Sequence, residues 1–216
     1  MTVQGIANAL QDLYCLERTE IRDFLISPAA YAAHCPRGGD GAPHRRETLL
    51  IARQDNVTYL GLYIAPAILE RLIAQPPITQ LDRTNLDATC VAIEGVSHLL
   101  CATWKLAHDM PFTQLELELQ AEIDKYLLCA RWLHRQGRTT EILADLFHHY
   151  TLCGGMDAEA AERYDRAAFL AWHYCRTINA RFFRRHRLSA IPPVVRDFYR
   201  LTHWQKLRRL GARYSS

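Results

Sequence analysis

The fold is decided by the stretch Leu86-Asp-Ala-Thr-Cys-Val-Ala-Ile-Glu-Gly-Val-Ser-His-Leu-Leu-Cys-Ala-Thr-Trp-Lys-Leu-Ala107, joined through His108-Asp-Met-Pro-Phe112 to Thr113-Gln-Leu-Glu-Leu-Glu-Leu-Gln-Ala-Glu-Ile-Asp-Lys-Tyr-Leu-Leu-Cys-Ala-Arg-Trp-Leu-His-Arg135. At 100° per residue, Val91, Ala92, Ile93, Val96, Leu99, Leu100, Ala102, Thr103, Trp104, Leu106 and Ala107 cover most of the first segment's circumference. A narrow stripe is left for Asp87, Glu94, His98, Cys101 and Lys105. The second segment opens with a Thr113-x-x-Glu116 capping box, flanked by Phe112 and Leu117 at the positions of a hydrophobic staple. Its main apolar stripe is Leu115, Leu119, Ile123, Tyr126, Ala130 and Leu133, and Leu117, Ala121, Leu128 and Trp132 give it a second apolar side. Helices apolar on two sides are interior. The spacing predicts helices over about 84–107 and 113–136, made antiparallel neighbours by their short connection.

Charges on helices this apolar need partners. Counting outward from a turn near Met110 sets His98 level with Glu122, Glu94 near Lys125, and Lys105 near Glu116 or Glu118. Two readings follow. In one, these residues form an internal ladder of ion pairs that fixes helix register. In the other, Glu94, His98, Glu118 and Glu122 converge on a metal or a reacting group, as facing helices of bundles do. Glu94 and His98 are one residue further apart than in the Glu-x-x-His pattern of di-iron bundles, and Lys105 and Lys125 supply positive charge nearby. The ladder is therefore the expectation, with no metal and no cofactor. Glu94, His98 and Glu122 stand as the catalytic candidates, and Glu94, His98, Glu118 and Glu122 as the metal-ligand candidates.

Outward from the hairpin, residues 3–17 read as a helix, with a short segment at 20–25 and a Gly/Pro-rich loop from His34 to Arg46. That loop lacks the Gly-Lys-Ser/Thr ending of a phosphate-binding loop. Thr48–Arg53 and Val57–Ile64, rich in β-branched and aromatic residues around Gln54-Asp55-Asn56, predict a β-hairpin covered by helices on both faces. Pro66 starts a short helix to Ala74, and further helices are predicted at 139–150, 157–186, 194–200 and 203–212, with a break at Ile191-Pro192-Pro193. The fold class is α+β and predominantly α-helical: a multi-helix, bundle-like domain with one β-hairpin at about 48–64 packed against helices. The expected organisation is a globular domain over 1–187 and a basic helical appendage over 188–216 packed on it.

Composition agrees with a globular chain, since 49% of its 216 residues are hydrophobic and 23% charged. The N-terminus has no signal-peptide pattern, and no uninterrupted apolar run approaches the roughly 18 residues of a membrane span. The expected location is cytoplasmic. Seven cysteines without a Cys-x-x-Cys argue against a disulfide framework or a cysteine-rich zinc site. The net charge of +3 conceals an asymmetry. From Arg176 onward there are eleven basic residues and one acid, Asp197, against fifteen basic and twenty-two acidic residues before it.

Other chemical motifs are weak. Ser97 and His98 are adjacent and so point about 100° apart on a helix, which separates them as a catalytic couple. Cys129 follows Lys125 at i+4 but has no adjacent base, and reads as a core thiol. His148, His149 and His173 lie outside any His-Glu-x-x-His motif and read as core histidines. The basic region interleaves Arg181, Arg184, Arg185, Arg187, Arg196, Arg200, Lys206, Arg208 and Arg209 with aromatic residues, a field that attracts phosphate or acidic surfaces. Ile93-Glu-Gly-Val-Ser-His98 and Leu115–Tyr126 resemble signature blocks of a bacterial family, and the resemblance implies no activity. The sequence thus predicts a bacterial cytosolic binding or regulatory protein, non-catalytic, using its basic C-terminal surface for nucleic acid or an acidic partner. The alternatives are a metal-assisted or acid–base enzyme using the Glu/His cluster, and a scaffold or subunit of a larger complex.

Overall fold

In the computed structural model, which describes residues 2–34, 46–138, 142–147 and 158–211, nine α-helices and one hairpin follow in chain order. They are α1 (Val3–Tyr14), α2 (Pro28–His34), β1 (Glu47–Gln54), β2 (Val57–Ile64), α3 (Pro66–Ala74), α4 (Leu86–Ala107), α5 (Gln114–Arg135), α6 (Ile142–Phe147), α7 (Ala158–Ile178), α8 (Ile191–Tyr199) and α9 (His203–Arg209). The chain is predominantly helical α+β, as its periodicity predicts.

α4 and α5 form the central antiparallel pair; α1, α3 and the hairpin pack on α4, and α7 packs on α5. α4 meets the length and composition of a membrane span more closely than the sequence reading allows, but 67% of that apolar window is buried within the protein. Thr113 caps α5 by accepting from the Glu116 backbone N–H at 3.1 Å. The reciprocal half of the expected capping box is missing because the Glu116 side chain turns inward to two lysines. A complete capping box forms instead at α9, between Thr202 and Gln205.

Asp55 and Asn56, with φ of 49° and 62°, form a two-residue turn that sets the register from Glu47 opposite Ile64 to Gln54 opposite Val57. Only the base of the hairpin is covered. Leu62, Tyr63 and Ile64 are buried, whereas Ile51, Val57 and Tyr59 are exposed near the tip. An eight-residue strand is about 27 Å long and outreaches the 10–12 Å width of the helix beneath it.

Three further departures have local causes. The segment at 20–25 forms only a 3₁₀ turn at Ile21–Asp23 before Leu25 bridges to Leu62 of β2. α2, absent from the sequence reading, begins at Pro28 after Ser27, whose hydroxyl accepts from the Ala30 N–H at 3.1 Å. The Ile191-Pro192-Pro193 break is the first turn of α8, where proline's missing N–H costs nothing. Residues beyond α7 belong to the same core: Tyr199 stacks on Tyr14 at 4.2 Å, and Val195, Phe198 and Leu207 are buried with them.

Candidate functional site

Residues four apart share a helix face, so the hairpin carries two polar seams. Ser97, Cys101 and Lys105 of α4 face Glu116, Gln120 and Asp124 of α5. The Glu116 carboxylate holds Lys105 Nζ at 2.7 Å and Lys206 Nζ, from α9, at 3.0 Å, and all three side chains are fully buried. Lys105 also donates to the Leu201 carbonyl and Lys206 to Gln120 Oε1. Gln120 donates to the Tyr14 hydroxyl and to Asp124. Asp124 accepts from Tyr14 at 2.5 Å and from Ser97 at 2.6 Å. Burial pushes the Asp124 carboxyl up to about 6, against the opposing effect of those hydrogen bonds, and pushes the Cys101 thiol up to about 11. This sealed seam ties α1, α4, α5 and α9 together.

The second seam approaches the surface. Glu94 and His98 of α4 meet Glu118, Glu122 and Lys125 of α5, with side-chain exposures between 7% and 16%. Lys125 Nζ donates to Glu94 Oε2 at 3.0 Å and to Glu122 Oε1 at 2.5 Å. His98 Nε2 stands 3.4 Å from Glu118 Oε2, and Nδ1 stands 3.8 Å from Glu47 Oε2. Glu47 is the first residue of β1, and Gly95 of α4 admits it: a Cβ there would lie 3.2 Å from Glu47 Oε2 and 3.1 Å from Leu62 Cδ1. Tyr164 of α7 completes the cluster, its hydroxyl interacting with Glu94 and Glu118.

The electrostatics follow from burial and an excess of carboxylates. Burial opposes the His98 imidazolium, but Glu118 and Glu47 outweigh it and hold its pKa well above the ordinary value. Burial likewise opposes the Glu94 carboxylate, which Lys125 and His98 nevertheless pull below the usual range. Glu47 and Glu122 are raised by burial, which His98 and Lys125 respectively offset only in part. Four carboxylates thus face one ammonium and one imidazole. His98 is buried, and its Nε2 has no hydrogen-bond partner in good geometry. One ligand atom each from Glu94, His98 and Glu118 lies within 4.8 Å of the others. A metal about 2.1 Å from each donor spaces cis donors roughly 3 Å and trans donors roughly 4.2 Å apart, so small side-chain rotations close the site.

The hairpin count finds Glu94 on Lys125 and Lys105 on Glu116. It misplaces His98, which faces Glu118 one turn away, because Lys125 binds Glu122 on its own helix and draws it aside. His173 is half-buried against Phe169 and Trp172, and His148 and His149 lie outside the described residues. The buried Cys129 thiol is raised by its hydrogen bond to Cys90 and by burial, so it is no nucleophile. The basic C-terminal set divides. Lys206 is buried in the sealed seam and cannot serve the expected contact surface. Arg196 is half-buried and donates to the Leu13 and Asp12 carbonyls at the end of α1, and Arg200 reaches the Tyr14 carbonyl. Arg181, Arg184, Arg185, Arg187, Arg208 and Arg209 are exposed.

Sequence reasoning missed Glu47 and Tyr164. Glu47 lies one residue before the predicted strand, and the one local sign of its approach is Gly95, the single glycine of α4. The chain matches no family model, no curated protein and no solved structure.

Proposed function

We propose that this chain is a metal-binding protein whose centre is formed by Glu94, His98 and Glu118, equipped for metal-assisted acid–base chemistry. One observation carries the reading: the buried His98 Nε2, without a hydrogen-bond partner, points among carboxylates that outnumber the local positive charges. Uncompensated buried charge is costly. A divalent cation, with His98 neutral, brings the four carboxylates and Lys125 within one charge of neutrality. One imidazole and two carboxylates suit Zn²⁺, Fe²⁺ or Mn²⁺, and three protein donors leave positions for water. Glu47, beside the His98 ring, is the residue poised to exchange protons there. The sealed seam offers no such site, because each lysine already faces Glu116.

The test is titration of demetallated protein with Zn²⁺, Mn²⁺ and, anaerobically, Fe²⁺, followed by calorimetry and metal analysis. One equivalent of one of these ions is expected in the wild type. Affinity should fall about tenfold or more in Glu118→Gln and in His98→Ala. The reading is overturned if no ion binds stoichiometrically, or if these variants bind as the wild type does.

A second reading keeps the basic surface for nucleic acid or an acidic partner, now carried by Arg181, Arg184, Arg185, Arg187, Arg208 and Arg209. It is supported by their shared exposure. It predicts salt-sensitive association that weakens on joint Arg→Gln substitution at 184, 185 and 187. Binding indifferent to salt would sink it.

A further inference from the structure

At the C-terminal end of α5, away from the carboxylate cluster, a cavity of about 300 Å³ opens between α1, α5 and the chain from Phe183 to Pro192. Apolar side chains, Leu128, Phe183, Leu188 and Ile191 among them, alternate in its lining with three polar residues, Arg131, Arg135 and Ser189. The volume sits at the lower end for small-ligand sites, which combine apolar walls with a few placed polar groups.

The arginines are four residues apart on α5, so they share a face and repel each other. Arg135 lies in the last helical turn, where the helix dipole favours a cation; Arg131, a turn earlier and half-buried, lacks that benefit. Burial and the charge of Arg135 both press against the Arg131 guanidinium. Among the described residues, the acid whose charge reaches Arg131 is Asp12, already held by Arg18 at 2.5 Å. Neither arginine has a hydrogen-bonded or ion-paired partner among the described residues. Two like charges at an apolar cavity, one of them half-buried, form an arrangement that an anion stabilises.

The opposite wall is built by irregular backbone. α7 ends in a five-residue π-helical turn, Asn179–Phe183, which brings Phe182 and Phe183 into the interior. Such turns are rare and occur often at functional sites. His186 then takes a φ of 52°, and Leu188, two residues on, lines the cavity. Between these residues, Arg184, Arg185 and Arg187 are exposed and add to the positive charge of this segment.

We infer that this cavity is a binding site for a small organic anion with an apolar body, its carboxylate or phosphate held by Arg131 and Arg135 and its alkyl or aryl part lying against Phe183, Leu188 and Ile191. The site is independent of the proposed metal centre, so either can fail without the other.

Calorimetric titration of the full chain with octanoate, octyl phosphate and octanol tests it. Saturable one-to-one binding of octanoate or octyl phosphate is expected, and the tighter of the two identifies the preferred head group. Octanol should bind at least about tenfold more weakly. The variants Arg131→Gln and Arg135→Gln should each weaken the anion by about tenfold, the worth of a charge-assisted hydrogen bond, with an unfolding midpoint no lower than that of the wild type. Absence of saturable binding by both anions, equal binding of octanol, or wild-type affinity in both variants would overturn the assignment. If an arginine variant unfolds early, Leu188→Trp, which fills the cavity from its rim, must abolish binding in a folded protein.

Discussion

Gly95 of α4 and Glu47 of β1 pack so closely that a Cβ on the glycine would stand 3.2 Å from the carboxylate. The contact lets a strand residue reach a histidine in the centre of a helix. Gly95→Ala gains about 1 kcal/mol of helix propensity and loses a comparable amount to crowding by Leu62 and Glu47. Its stability in urea should stay within about 1 kcal/mol of wild type. Displacement of Glu47 should lower the His98 pKa, read by NMR, because one of the two carboxylates that raise it has moved. An unchanged His98 titration would refute this role for the glycine.

The Lys105–Glu116–Lys206 triad is structural, and its removal should show as lost stability. Glu116→Gln leaves two buried ammonium groups without their carboxylate. The expected cost is about 3–5 kcal/mol by chemical denaturation. A loss below about 1 kcal/mol would mean that the lysines find other partners or reach water.

Asp124 makes stability depend on pH in a defined direction. Burial raises its folded pKa to about 6 from an ordinary value of 3.8. The folded state therefore binds the proton more tightly, and the associated stability is full below pH 3.8 and lost as pH rises through 6. Asp124→Asn removes this dependence while keeping an acceptor oxygen for Tyr14 and Gln120 and turning an N–H toward the Ser97 hydroxyl oxygen. Relative to wild type, the variant should gain stability between pH 4 and pH 7, by at most about 3 kcal/mol. A difference that stays flat across that range would contradict the assignment.

Ending the chain after Ala190 removes more than a basic surface. It deletes Val195, Phe198, Tyr199 and Leu207 from the core and Lys206 from the sealed seam. Circular dichroism of the truncated chain should show a broad, non-cooperative thermal transition. A sharp transition like that of the full chain would show that α8 and α9 are dispensable to the core. Charge-neutralising substitutions at 184, 185 and 187 are accordingly the cleaner probe of the basic surface.

Much of the fold was legible in the sequence because its decisive signals are local. The apolar periodicity of α4 and α5, the Thr113 cap and the Asp55-Asn56 turn each act within a few residues. Even two tertiary pairs, Glu94 with Lys125 and Lys105 with Glu116, could be counted across one short connection. His98 escaped that count, since its partner depends on whether Glu122 or Glu118 is free, and Lys125 decides that from its own helix. Lys206 and Arg196 read as surface charges because charge and composition carry no record of depth.

The sequence by itself determined that a buried helical hairpin would carry polar residues and that most of them would be paired, because a short connection and helix geometry confine two antiparallel helices to within about one turn of register. Only the tertiary structure decided which residues surround His98. Glu47 and Tyr164 arrive from a strand and a helix remote in the chain, and their approach depends on the hairpin base packing over Gly95 and on α7 lying against α5. Packing of distant elements is set by the whole core, and no local spacing encodes it.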